Sequence, residues 1–414
     1  MKIRSITYFM NPGWPFRAAE LEQAQRFAAT ARQAYERAGY EVQTQRLATV
    51  SFPDLLPELT LEAVVDLAQQ VEAFGQEHGF DFFSIGSASP ERLEAYPLIP
   101  ETLKRTENIF MTGLMTLPGG RVSLPAVQAC AKIVHTLGPA LPDGFKNLYF
   151  AALANVPPGT PFLPAAYHTG EQAGFALAVE GADLAVMATA QAASLAEARR
   201  ALVEALESHA AALAEVGQDL QTRLGAAFLG VDFTPAPFPV GKLSLGAAME
   251  QLGVAMVGDH GSLAAAAFLA DAVDRARFPR AGFSGLIFPV LEDAALAHSA
   301  AAGRLSLKDL LLFSTVCGTG LDTVPLPGDL SAEQIAAILL DVAALAQRLN
   351  KPLTARLMPI PGKGAGADTS FNFPFFANSR VMPAQAEPLT GLLAGDEVFD
   401  LQPRPGRETP GAAQ

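Results

Sequence analysis

The sequence predicts an α/β fold of layered strands and helices, and three observations support that expectation. Strand-like and helix-like stretches alternate from one end to the other, as they do in such layered architectures. The first fifty residues already read as a βαβ-like unit. Half of the 414 residues are hydrophobic and only 17% are charged, which is ample material for a sizeable core. No Pro/Gly/Ser linker divides the chain, and no internal repeat is visible. One α/β domain is therefore expected over residues 1–402, followed by a disordered, Pro/Gly-rich tail at 403–414.

The elements follow in order. Lys2 to Met10 spaces Ile3, Ile6, Tyr8 and Met10 as a strand would and stops at Asn11-Pro12-Gly13. Ala18 to Ala38 is helical, closed by Gly39, and Glu41 to Leu47 is a second strand. Leu61, Val64, Leu67 and Val71 have helical spacing, and the buried strand Phe80 to Gly86 comes next. Asn108 to Leu114 is a strand and Leu124 to Leu137 a helix, which explains Cys130 as a core residue. After the strand Leu148 to Ala154, four prolines stiffen the stretch leading to Tyr167-His168. Phe175 to Val179 and Ala226 to Phe233 are strands on either side of a long helix, with Ser194 and Glu197 as its capping box. His209 on that helix reads as a solvated or satisfied helical histidine. A helix from Ser262 to Arg275, a strand from Gly282 to Val290 and a helix opening at Glu292-Asp293 come next. Leu305 to Phe313 is helical, Ser331 and Gln334 cap another helix, and Leu353 to Pro359 is a strand.

Charge and composition narrow the function classes. A net charge of −13 argues against nucleic acid, which needs a clustered basic face, and against an anionic membrane surface. No apolar run is long enough for a membrane helix, and the N-terminus lacks a signal-peptide core, so a cytoplasmic location is expected. Cys130 and Cys317 are the only cysteines and show no CxxC spacing, which fits a reducing compartment. A small anionic metabolite served by local cations is the partner class that remains, and a homo-oligomer stays open.

The stretch STVCGTGLDTVPLPGD, 314–329, draws attention first. Glycines on both sides of Thr319 allow a turn that presents the Cys317 thiol to a cavity; the plainer alternative is a small buried apolar residue. Other polar residues follow apolar strands, where parallel α/β folds place their ligands: His168, Asp232, Asp259, His260, Glu292, Asp293 and Asp322. Cys317 is expected as nucleophile or acid/base, with His168 or Asp322 as its proton partner. Gly362, Lys363 and Gly364 lie in a glycine-rich loop that offers backbone amides and one cation to an anion, with Asp232 also on the substrate side. That loop is neither a Walker A nor a GxGxxG sequence, and a plain surface connection is its rival reading. A divalent metal held by Asp259, His260, Glu292 and Asp293 is a further alternative, and a helix start at Glu292-Asp293 is its rival reading. A non-catalytic metabolite-binding or regulatory protein is the rival from another class.

The segments GFSGLIFPVLEDAALA, LLLFSTVCGTGLDTVPLPGD and RLNKPLTARLMPIPGKGAGAD, with GTPFLPAAYH and GVDFTPAP before them, together resemble the bacterial and archaeal "PFL family" proteins. The resemblance covers most of the chain and is densest from Thr160 to Pro383. It implies a fold similar to pyruvate formate-lyase: a ten-stranded α/β barrel of two five-stranded halves, with a loop threading the interior and Cys317 near the active-site region. It implies no defined activity. Glycyl-radical enzymes carry an RVxGY-like loop, whereas this chain has Arg380-Val381-Met382-Pro383 and lacks a vicinal cysteine pair. Any chemistry is therefore expected to be non-radical.

Overall fold

A computed structural model of the chain describes residues 1–170, 172–316 and 318–403. Cys317 and nearly all of the expected disordered tail lie outside the described residues. Twelve strands occur among the described residues. They are β1 (Lys2–Met10), β2 (Val42–Thr49), β3 (Phe82–Ala88), β4 (Ile109–Leu114), β5 (Thr116–Leu117) and β6 (Arg121–Ser123). Then come β7 (Phe150–Ala154), β8 (Gly174–Glu180), β9 (Ala227–Asp232), β10 (Gly320–Pro327), β11 (Leu353–Ile360) and β12 (Val398–Asp400). Nine of them form one sheet in the order β10-β11-β7-β4-β3-β2-β1-β8-β9, and β12-β6-β5 form a small second sheet.

Five central strands, β7, β4, β3, β2 and β1, run parallel to one another. The pair β8 and β9 is parallel within itself and antiparallel to β1. On the other flank β10 and β11 are parallel to each other and antiparallel to β7. The α/β expectation holds as a large, mostly parallel sheet covered by helices.

Continuous ladders do not join ten strands into a closed ring. The expected strand over 282–290 forms only isolated parallel bridges in its region, Arg280 with Val231 of β9 and Pro289 with Asp322 of β10. Its composition explains why. Proline lacks an amide donor, and Gly282 and Ser284 take φ of 59° and 42°, which breaks the pleat. Segment 279–290 still bonds both edge strands: Val231 N donates to Pro279 O at 2.8 Å, and Val290 N to Asp322 O at 3.1 Å. Gly230 permits the approach on the β9 side. Its φ is 121°, and a Cβ there would meet Pro279 O at 2.6 Å.

The proline-punctuated run after the turn at 318–320, to which the sequence assigned no element, is strand β10, buried along its whole length. Pro325 and Pro327 are tolerated because β10 is an edge of the ladder. Its register shifts between Leu321 and Val324, where Thr323 has a φ of 42°.

Both faces of the large sheet are covered. Along β1, Ile6, Tyr8 and Met10 join the helix-side core with Phe27 and Ala24. The alternate residues Ser5, Thr7 and Phe9 are just as buried, under the proline-rich segment 156–168 rather than under solvent. Leu163 and Ala166 of that segment pack with Phe9, Ala48, Phe110 and Ala176, drawn from β1, β2, β4 and β8. Its carbonyls need donors there, and small hydroxyls on the strands supply them. Thr7 Oγ1 donates to Pro161 O at 2.7 Å and Ser84 Oγ to Ala166 O at 2.6 Å.

The helix starts follow the sequence closely. Ser331 and Gln334 form a reciprocal capping box. Ser194 accepts from Glu197 N, but the Glu197 carboxylate turns to Ala193 N, so that box is only half made. Asp293 caps Ala294–Ala301. No described helix is long and apolar enough to cross a membrane.

Candidate functional site

The chemistry gathers on the face of the sheet that segment 156–168 covers, around three arginines set inside strands with little other charge. Arg4 comes from β1, Arg46 from β2 and Arg356 from β11. Asp322 arrives on the bulged part of β10, and Glu292 directly follows segment 279–290. All five line an interior cavity of about 120 Å³ whose wall includes Phe82, Phe110, Tyr149, Phe373 and Phe375. Segment 156–168 forms part of the same wall through Phe162 and Leu163.

The ion pairs are unevenly shared. Arg356 bridges two carboxylates, with Nε 2.6 Å from Asp322 Oδ1 and Nη2 2.9 Å from Glu292 Oε1. Arg4 bonds Glu292 Oε2 and lies 3.9 Å from Glu180, which also meets Lys2 at 3.4 Å. Arg46 has no carboxylate within ion-pair distance among the described residues. Its Nε donates to Thr44 Oγ1 at 3.0 Å, and its guanidinium lies 5.9 Å from the centre of the Phe82 ring.

That asymmetry sets the protonation states. Burial lowers the Arg46 pKa to about 9, helped by the like charges of Arg4 and Arg356 and opposed by the more distant carboxylates of Glu292 and Asp81. Burial also works against ionisation of Glu292, but Arg4 and Arg356 outweigh it and hold that carboxyl below its ordinary value. Asp322 goes the other way. Burial raises its pKa against the attraction of Arg356, and the charge of Glu292 adds to the rise. The pair thus consists of one firmly ionised carboxylate and one that holds its proton more readily.

The residues expected from sequence are dispersed. Asp322 and Glu292 are in the cavity. His168 is buried beyond the end of β2, its backbone amide donating to Thr49 O at 3.0 Å and its ring beside Phe9. It is not part of the cavity wall. Asp232 is fully buried, and its two oxygens accept from Thr234 N, Thr234 Oγ1, Phe283 N and Ser284 N, so it secures segment 279–290. Burial raises its pKa to about 6 despite those bonds.

Lys363 stays within its own loop, donating to Asp368 O at 2.6 Å and Ser370 Oγ at 3.0 Å. A Cβ on Gly362 or Gly364 would meet nothing within 4 Å, so neither glycine is needed for a close approach. The four residues expected around a metal do not converge. Asp259 pairs with Arg304, while Asp293 caps its helix and accepts from Ser244 Oγ, Leu245 N and Gly246 N. No group of three or more metal-ligating side chains occurs among the described residues. Cys130 is core, as expected, with Sγ 3.5 Å from Gly113 O. His209 meets Tyr40 Oη at 3.0 Å.

Sequence reading missed the arginines. Their signal was available in RSITYFM, VQTQRLAT and LTARLMPI, where a single arginine stands in a strand with little other charge. An arginine is rarely fully buried without a partner.

Comparison with known proteins adds a family but no activity. The family described as "Uncharacterised ACR (DUF711)" matches residues 1–374. A "UPF0210 protein" of Pyrobaculum arsenaticum is 34% identical over 364 residues, covering 83% of this chain and 79% of that protein. One from Neisseria gonorrhoeae is 26% identical over 375 residues, covering 86% and 82%. One from Methanosarcina acetivorans is 28% identical over 338 residues, covering 78% and 73%. The resemblance to bacterial and archaeal proteins of undefined activity is thereby borne out; these matches do not extend it to pyruvate formate-lyase.

Proposed function

This chain belongs to the DUF711 family of uncharacterised proteins, and we propose that it takes a small anionic metabolite into the arginine-lined cavity as a non-radical enzyme. The observation behind this reading is Arg46, a buried cation facing the cavity with no carboxylate within ion-pair distance among the described residues. A buried charge without a counterion is costly, and an incoming carboxylate or phosphate offsets that cost with charge-assisted hydrogen bonds. Asp322 is the acid–base group of the reading, because burial raises its pKa and a carboxyl so raised holds a proton more readily than an ordinary one.

A thermal-shift screen of small carboxylates and phosphate tests the anion site. A ligand held by the native state alone at a hundred times its Kd raises stability by about 2.7 kcal/mol. Arg46→Met is expected to abolish the shift while leaving the unliganded melting temperature unchanged or higher. Lys363→Met serves as the control and is expected to respond like the parent. If no anion stabilises the protein, or Arg46→Met responds normally, the reading is wrong.

Cys317 stands two positions before the cavity-lining Thr319 in sequence, and we retain it as nucleophile. Cys130 is fully buried, and burial pushes its thiol far up, so alkylation of the native protein reports Cys317 alone. Iodoacetamide is expected to modify one thiol per chain, with a rate midpoint below the free-thiol value of about 8.5. A bound anion is expected to slow that modification. An inert thiol, or a midpoint at the free value with no protection, would remove Cys317 from the chemistry.

The finer likeness to pyruvate formate-lyase belongs to the same proposal. Counting segment 279–290 as a tenth stave gives two antiparallel sets of five strands around segment 156–168. An experimental structure with nothing between β9 and β10 would refute that arrangement.

A further inference from the structure

The cavity wall narrows the class of anion, an inference that rests on the anion reading above. Arg46 stands at one end of an arc of aromatic rings. Its guanidinium is 5.9 Å from Phe82; Phe82 meets Phe110 at 5.8 Å, and Phe110 meets Tyr149 at 4.8 Å. Phe145 links Tyr149, at 6.2 Å, to Phe373, at 5.0 Å, and Phe373 meets Phe375 at 5.2 Å. Phe373 and Phe375 are only half-buried and come from the loop FNFPFF, whose backbone is fastened by Asn378. Edge-to-face and tilted ring pairs of this kind leave faces and edges suited to one more ring.

Charge supplies the second limit. With Glu292 and Asp322 ionised, the guanidiniums of Arg4, Arg46 and Arg356 leave one positive charge over. Glu180, shared between Arg4 at 3.9 Å and Lys2 at 3.4 Å, lies outside the cavity wall, and the charge of Lys2 matches its own. A ligand with a single negative charge neutralises the site, whereas a second charge would be buried without a partner.

We propose that the cavity receives a small aromatic monocarboxylate, its carboxylate on Arg46 and its ring among Phe82, Phe110, Phe373 and Phe375. The aromatic arc gives the ligand its affinity beyond the ion pair, so phenylacetate binds more tightly than cyclohexylacetate of similar size. Succinate and inorganic phosphate, which carry more charge and no ring, bind least.

Isothermal titration of the full chain with these four probes decides the matter. Phenylacetate is expected to bind roughly threefold to tenfold more tightly than cyclohexylacetate, the range for one added ring contact. Phe373→Ala is expected to remove that preference, and Arg46→Met to weaken phenylacetate by at least about tenfold. Phe373 is half-buried at the cavity mouth, so its truncation should leave a folded protein, which a thermal melt confirms. If succinate or phosphate binds through Arg46 while phenylacetate does not, the aromatic inference is overturned and the anion site stands. If phenylacetate binds no better than cyclohexylacetate, the arc is only a wall. If none of the four binds, both proposals are refuted.

Discussion

Arg356→Met is expected to lose about 3–5 kcal/mol of stability, the cost of leaving a buried charge without its partner. The substitution keeps most of the stem volume and removes the guanidinium that Asp322 and Glu292 share. Glu292 retains Arg4, but Asp322 is left buried without an ion pair among the described residues. Its carboxyl, already raised in the parent, rises further. A raised folded-state pKa makes stability fall as pH rises through that value, so the deficit of Arg356→Met should be larger at pH 8 than at pH 5. Urea denaturation at the two pH values measures it. A loss below about 1 kcal/mol at both would place the pair in water rather than in a dry interior.

Asp232→Ala should cost about 3 kcal/mol, through the buried amides of Phe283 and Ser284 that lose their acceptor. Hydrogen exchange should then quicken across 280–290 and along β10 before the rest of the sheet. Uniform exchange with unchanged stability would show that the segment is held by something else. Asp232→Asn separates charge from shape. The folded pKa of Asp232, about 6, lies above its ordinary value of 3.8, so the native state binds the proton first. The resulting stabilisation is fully present below 3.8 and is lost as pH rises through about 6. Relative to Asp232→Asn, the parent should therefore gain stability on going from pH 7 to pH 4, by at most about 3 kcal/mol.

Where a single local rule governs, sequence and structure agree. Ser331 with Gln334, Asp293 before its helix and Cys130 on an apolar helix face all occur as read, because caps and helix periodicity depend on a few neighbouring residues. The reading fails where tertiary packing decides. Pro325 and Pro327 hid a strand from the sequence, because only an edge position lets both sit in β10. Gly282 to Val290 is apolar enough for a strand, but glycine and proline reduce it to a few bridges. The site was half legible. Asp322 and Glu292 were found because they follow apolar runs. Arg4, Arg46 and Arg356 lie within strands and became meaningful only once segment 156–168 covered the inner face. Lys363 drew attention through its glycines, but a glycine-rich loop reads alike whether it holds an anion or only its own lysine.

Segment 279–290 also governs how copies of the chain behave toward one another. The margin of any sheet is a row of open donors and acceptors on which a foreign strand can grow. Here a single stretch of chain occupies both margins, β9 on one side and β10 on the other. While it is in place, neither margin can template self-association. Because its grip depends on scattered bonds and on the buried carboxylate of Asp232, rather than on a full ladder, losing that one residue is expected to loosen its hold on both borders. The same junction that completes the cavity wall is thus expected to keep copies of the chain apart, which light scattering of Asp232→Ala against the parent checks.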